Sequence, residues 1–371
     1  MGFVEIPGKV DVFQYWPHGT SDVDTLKFVP NLTMARYFAN GSHFDVGAYF
    51  ARGGTFQPDD ENPGKEKFKS ILRRAGGVSL SVRLQGIDAP ETHYSPNYRE
   101  GMFDGDYSTW VAKHISRQKS YRQPYSKLCT DLFANGLRNQ LGVGSFNSTS
   151  PEAFVDAKVT ILAEGINGAV DVYGRAVGYV TLIANGQEIV VNDFALSQGF
   201  AFCSFYGSMA IDEMKRLMQL FAAHGWDGAK SQLRKNLSNQ LRDFEPELWT
   251  TKSMRDTDRD DNGGDSFPSK CFDPKLFRRC VDWLGRKEAL NETIPLLDYM
   301  QANDEEIVLL KDFIEAGGDW SKSRKSTMGS LITKEGALSY KAGEVVFESR
   351  PVEIVDAENQ PLPQSFLTPY P

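Results

Sequence analysis

Residues 78 to 92 restrict the fold more than any other stretch of the chain. Val78, Leu80, Val82 and Leu84 alternate with Ser79, Ser81 and Arg83, the period-two pattern of a strand with one face on a core. Gly86, Ile87 and Asp88 follow, and Ala89-Pro90 stiffen the exit ahead of Glu91 and Thr92. A half-buried strand is therefore expected to turn Arg83 away from its apolar face and to deliver two carboxylates just beyond its end. Singly, these residues have bland readings. Asp88 would serve as a loop cap, and Arg83 would pair with Asp88 or Glu91 only to neutralise a buried cluster.

The flanking sequence reads as a mixed α and β chain. Residues 9 to 33 give a strand, a turn holding Asp22 and Asp24, and a second strand. Residues 34 to 77 lose the pattern and read as an insertion, with a short basic helix expected over 65 to 74. Residues 108 to 142 look helical with a break at Pro124, and 111 to 127 hold five Lys or Arg and no acid. Strands are expected at 157 to 163 and 174 to 183, the second closing at Asn185-Gly186. A short helix over 192 to 198 ends at Gly199, and an amphipathic helix covers 209 to 224. Residues 256 to 265 are acidic and without an apolar side chain, which marks a boundary or loop. Beyond it come helices near 274 to 284 and 305 to 315, the latter capped by Asn303, and a β-rich tail over 337 to 354.

Charge narrows the partners. With 41 Lys and Arg against 49 Asp and Glu the net charge is −8, so nucleic acid would have to be held by local patches or through a metal ion rather than by bulk attraction. The four cysteines form no C-x-x-C pair, which argues against zinc ribbons, thioredoxin-like chemistry and a disulfide scaffold, and favours a reducing compartment. The first residues carry neither a basic n-region nor an apolar h-region, and no apolar run reaches membrane-spanning length. A cytoplasmic protein without a membrane partner is the expectation, an exported mature form the alternative.

Three distant segments, taken together, resemble the staphylococcal-nuclease (thermonuclease) family. Residues 83 to 92 follow that family's Arg-x-x-x-x-Asp-x-Pro-Glu-Thr run, and Tyr173-Gly174-Arg175 its Tyr-Gly-Arg. Asp22-Val23-Asp24-Thr25 is similar to its Asp-Gly-Asp-Thr turn, with Val23 where a glycine of positive φ would be at home. The resemblance covers residues 9 to 230. It implies an α+β chain built on a five-stranded OB-fold-like β-barrel with flanking helices over residues 1 to 250, enlarged by insertions at 34 to 77 and 95 to 150. An acidic linker over 251 to 268 would lead to a C-terminal α+β region, 269 to 371, on whose role the resemblance is silent.

The activity so implied is metal-dependent endonucleolytic hydrolysis of phosphodiester bonds in DNA, RNA or both, with calcium preferred and magnesium or another divalent ion as the alternative. Asp24, Asp88 and the carbonyl of Ala89 would hold the ion, Glu91 would reach it through water and act as general base, and Asp22 and Thr25 would support the ligands. Arg83 and Arg175 would clamp the scissile phosphate, for which a planar guanidinium is suited and an ammonium is not. Tyr173, Phe205 and Tyr206 fall where the family meets its substrate, with packing an equal alternative for Phe205 and Tyr206. Lys113 and Arg117, interleaved with Tyr121, offer a basic and aromatic track for nucleic acid. The rival readings are a catalytically inactive OB-fold module for nucleic acid or protein, and an effector nuclease regulated by a protein partner or oligomer through the C-terminal region.

Overall fold

In the computed structural model the residues described are 2–13, 16, 22–31, 34, 36–39, 42–45, 54–58, 66–71, 80–96, 120–144, 154–163, 171, 175–225, 233, 237–245, 270–290, 293–349 and 352–355. Their strands are β1 (Gly2–Asp11), β2 (Thr25–Pro30), β3 (Arg36–Ala39), β4 (Ser42–Asp45), β5 (Gly54–Pro58), β6 (Glu66–Ile71), β7 (Leu80–Leu84), β8 (Ile87–Asp88) and β9 (Phe154–Ala163). Later in the chain come β10 (Ala176–Ala184), β11 (Gln187–Val190), β12 (Phe202–Cys203), β13 (Phe205–Tyr206), β14 (Glu306–Leu309), β15 (Lys325–Thr327), β16 (Val345–Phe347) and β17 (Val352–Val355). The helices are α1 (Ser126–Leu141), α2 (Val191–Ser197), α3 (Ile211–Leu220), α4 (Pro274–Leu290), α5 (Leu296–Gln301) and α6 (Leu310–Glu315).

Alternation along the strands builds a closed barrel. β1 pairs antiparallel with β2 and β9, β2 pairs antiparallel with β7, β7 runs parallel to β10, and β10 returns antiparallel to β9. Five strands thus close a mixed barrel. Its interior takes Val4, Ile6 and Val10 of β1, Leu26 and Phe28 of β2, Val82 and Leu84 of β7, and Val159 and Ile161 of β9, all buried. Each such side chain contributes on the order of 1.5–3 kcal/mol by leaving water. α1 adds Phe133, Leu137 and Leu141 to the same core, with Phe133 edge-on to Trp16 at 5.2 Å between ring centroids. Closure brings β10 so near β9 that a Cβ at Gly178 would stand 2.6 Å from the carbonyl oxygen of Thr160.

Register decides where the charged residues go. β7 lies between β2 and β10, with Thr25 opposite Arg83 and Ala176 opposite Val82. Asp24, Arg83 and Arg175 therefore share one rim of the barrel. The turn before β2 is closed by the amide of Thr25 donating to the carbonyl of Asp22 at 3.1 Å. Val23 needs no left-handed backbone there, since the only described non-glycine residues with positive φ are Tyr125 and Asn185; its side chain is buried in the core instead. Gly86, by contrast, has φ of +78°, and a Cβ on it would meet Leu217 at 2.3 Å. Only glycine fits that bend between β7 and β8.

Two expected helices take other forms. The basic stretch at 65 to 74 contains a strand, β6, paired on one side with β5 and on the other with β17. Its Lys67-Phe68-Lys69-Ser70 alternates with period two, which a strand uses and a helix does not. The stretch at 305 to 315 begins as β14, held between β15 and β16 with Ile307 and Val308 fully buried, and only then turns into α6. Elsewhere the Asn185-Gly186 hairpin, the helix at 191 to 197 and the helix from Ile211 stand as the sequence indicates. The acidic stretch 251 to 268 and most of 95 to 119 lie outside the described residues.

The C-terminal elements share their packing with the barrel. β13 pairs with β16, and Cys271, Val308, Phe313 and Val346 join the barrel's own buried cluster. A second cluster gathers Phe272, Leu276, Phe277 and Val281 with Ile307 and Phe347. All four cysteines are buried free thiols. Among the described residues no helix is long and apolar enough to cross a membrane.

Candidate active site

The turn before β2 and the segment after β7 meet over the barrel rim. Arg83 Nη1 donates to Asp24 Oδ1 at 2.5 Å and its Nη2 to Asp88 Oδ1 at 2.6 Å, so one guanidinium ties the two aspartates. The amide of Ala89 donates to Asp24 Oδ2 at 2.6 Å, and the Thr25 hydroxyl donates to Asp24 Oδ1 at 3.0 Å. Asp22 accepts from both the amide and the hydroxyl of Thr92, which pins the first turn to the far end of the Asp88–Thr92 segment. Arg175 donates from Nε to Asp171 Oδ2 at 2.7 Å and reaches Thr25 Oγ1 at 3.4 Å, one residue from Asp24.

Asp24, Asp88 and Glu91 are almost wholly withdrawn from water, at 0%, 1% and 6% exposure. Burial pushes Asp24 up to about 6 even though Arg83 works against the shift. Burial likewise pushes Glu91 up to about 8, with Arg278 opposing. Asp88 goes the other way: burial acts to raise it, but Arg278 and Arg83 together hold it well below the usual carboxylate range. The three carboxylates thus part company according to how many guanidiniums each one faces.

Three further residues are central to this arrangement, and two of them, Arg278 and Gln123, belong to no motif. Arg278 of α4 bonds to Glu91 Oε1 and to both oxygens of Asp88, bridging the two carboxylates from the C-terminal region. Gln123, fully buried, accepts from the amide of Glu91 at 2.8 Å through Oε1 and donates through Nε2 to the carbonyl of Phe272 at 2.8 Å. Asn192, at the start of α2, donates to the carbonyls of Gln85 and Gly178 at 2.9 and 3.3 Å and accepts from the amide of Val180 at 3.2 Å. It braces the bend that leads from β7 to Asp88.

Of the substrate-contacting residues expected from sequence, few gather here. Phe205 is fully buried, its strand paired with β16, so packing wins over stacking on a base. Tyr121 is also buried, in the second cluster, and its backbone pairs with Tyr94. Tyr206 keeps 36% exposure and accepts from Lys275 Nζ at 2.7 Å. Tyr173, Lys113 and Arg117 lie outside the described residues.

The donor chemistry fits a hard divalent cation, since Asp24, Asp88, Glu91 and the Ala89 carbonyl offer only oxygen. Among the described residues no group of three or more His, Cys, Asp or Glu side chains stands ready around a common point for an ion; Arg83 bridges Asp24 to Asp88, and Arg278 bridges Asp88 to Glu91. Compared with known proteins, the chain matches no family model and no curated sequence.

Proposed function

We propose that this chain is a divalent-metal-dependent nuclease that hydrolyses phosphodiester bonds of DNA, RNA or both, on an OB-fold-like barrel of the staphylococcal-nuclease kind. The observation that carries the reading is the convergence of Asp24, Arg83, Asp88 and Glu91, from the turn before β2, from β7 and from the segment after it, on one cluster with Arg175 beside it. A bound calcium or magnesium ion would be held by Asp24, Asp88 and the carbonyl of Ala89, with Glu91 behind a water, and would supply charge neutralisation at the phosphate.

The chain's own groups do the rest. Glu91, neutral while buried, would ionise beside the bound ion and take the proton from the attacking water. Arg83 and Arg175, whose donors rest on Asp24, Asp88 and Asp171, would turn to the phosphate oxygens once an ion takes the carboxylates, and would stabilise the charge that builds as the fifth oxygen approaches phosphorus. Digestion of plasmid and of RNA with calcium, magnesium or chelator tests the proposal. Glu91→Gln and Arg175→Ala are each expected to lose at least about a hundredfold in rate, and undiminished digestion by the double variant would refute these roles.

The burial of the three carboxylates favours a second reading, in which the cluster is an ion-pair network that docks the C-terminal region on an inactive barrel. The same assay separates the two, because a docking network cuts no nucleic acid with any ion.

A further inference from the structure

One charged side of α4 lies across the carboxylate cluster. Lys275, Arg278 and Asp282 follow one another at intervals of three and four residues, which puts them on a single face of the helix. Each holds a different segment of the chain. Lys275 Nζ donates to Tyr206 at 2.7 Å and stands 4.7 and 4.2 Å from the ring centroids of Tyr206 and Phe347. Arg278 takes Asp88 and Glu91. Asp282 Oδ1 accepts from the Tyr94 hydroxyl at 3.0 Å, three residues beyond Glu91. Just ahead of the helix, the Phe272 carbonyl is tied to Gln123, whose other end grips the amide of Glu91.

These contacts close the site. Arg278 itself is only 15% exposed at its side chain, and carboxylates that water barely touches are out of reach of a phosphodiester. Arg278 and a divalent cation also compete for the oxygens of Asp88, and Arg278 takes the Glu91 oxygen that would face the ion's water. A guanidinium there satisfies the charge that an ion would otherwise satisfy, and the two cannot be accommodated together.

We propose that α4 is an autoinhibitory lid, with Arg278 as an internal counter-cation that must leave before the site can take up metal and substrate. The inference rests on the hydrolase reading above. While the lid is seated the site is incompetent, so the apparent ion affinity falls in proportion to the fraction of molecules with α4 displaced. The freed Lys275 and Arg278 then face outward as cations beside the opened cluster.

Calorimetric titration of calcium and manganese into the full-length, metal-stripped chain tests this, with hydrolysis measured alongside. Arg278→Ala is expected to tighten ion binding at least about tenfold, which corresponds to a lid seated in more than about nine-tenths of wild-type molecules. Tyr94→Phe removes only the hydrogen bond to Asp282 and leaves the cluster intact; it is expected to tighten binding in the same direction by a smaller factor, and it decides the matter alone if Arg278→Ala does not fold. Hydrolysis should rise in the same order. Equal ion affinity in all three chains, with the wild type hydrolysing, overturns the lid and leaves the hydrolase standing. Slower hydrolysis by Arg278→Ala at unchanged ion affinity makes Arg278 a substrate clamp and likewise overturns it. Neither ion binding nor hydrolysis in any chain overturns the hydrolase reading, and the lid falls with it.

Discussion

Glu91 sits where water is nearly excluded, and its carboxyl is pushed up to about 8 from an ordinary 4.5 by that burial. A proton bound more tightly in the folded state than in the unfolded one links stability to pH with a definite sign. The contribution of Glu91 is full below about 4.5 and is lost as pH rises through about 8. Asp24 acts in the same direction over a lower window, from 3.8 to about 6. Asp88, held low by two arginines, acts oppositely and only in acid. A glutamine at position 91 keeps the shape of the neutral acid and cannot ionise. Denaturant unfolding in chelator is therefore expected to show Glu91→Gln gaining on the wild type as pH is raised from about 5 to about 8. A stability difference that stays flat across that range would show that Glu91 is not held neutral by its surroundings.

At the scale of elements, the segment from Gln85 to Thr92 is held by what flanks it. Asn192 spends all of its side-chain polarity on the carbonyls of Gln85 and Gly178 and the amide of Val180. Replacing it with alanine leaves buried backbone groups unpaired, an expected cost of roughly 1–3 kcal/mol in denaturant unfolding. A cost below about 0.5 kcal/mol would mean that these groups find other partners. The strand of Leu80 to Leu84 was legible because alternation of one side against the other is a local property of the sequence. So were the Asn185-Gly186 hairpin and the turn residues Asp22 and Asp24, since backbone preference is local too. Gln123 and Arg278 were not. Each acts through a contact with residues far along the chain, and a helix bearing Lys275, Arg278 and Asp282 on one face looks from its sequence like any solvated helix. The strand of Glu306 to Leu309 is hidden from the sequence for the same reason: its partners are Lys325 to Thr327 and Val345 to Phe347, and pairing with them overrides a helical cap signal at Asn303.

Across the whole molecule, the barrel and the C-terminal elements share one buried interior. Cys271, Val308, Phe313 and Val346 pack with barrel residues, while Tyr121 and Phe347 belong to the neighbouring cluster that α4 completes. Calorimetric unfolding of the full chain is expected to show one transition, and two well-separated transitions would mean that the halves fold independently. The same sharing makes the site a joint product of both halves, with five charged groups, Asp24, Arg83, Asp88, Glu91 and Arg175, from the N-terminal half and one, Arg278, from α4. A crystal structure of the full chain soaked with calcium and a nucleoside bisphosphate addresses the central claim most directly. An ion on Asp24 and Asp88, a phosphate on Arg83 and Arg175, and Arg278 withdrawn from Asp88 and Glu91 are expected. Arg83 and Arg278 still seated on the carboxylates at saturating calcium, with no ion among them, would contradict it.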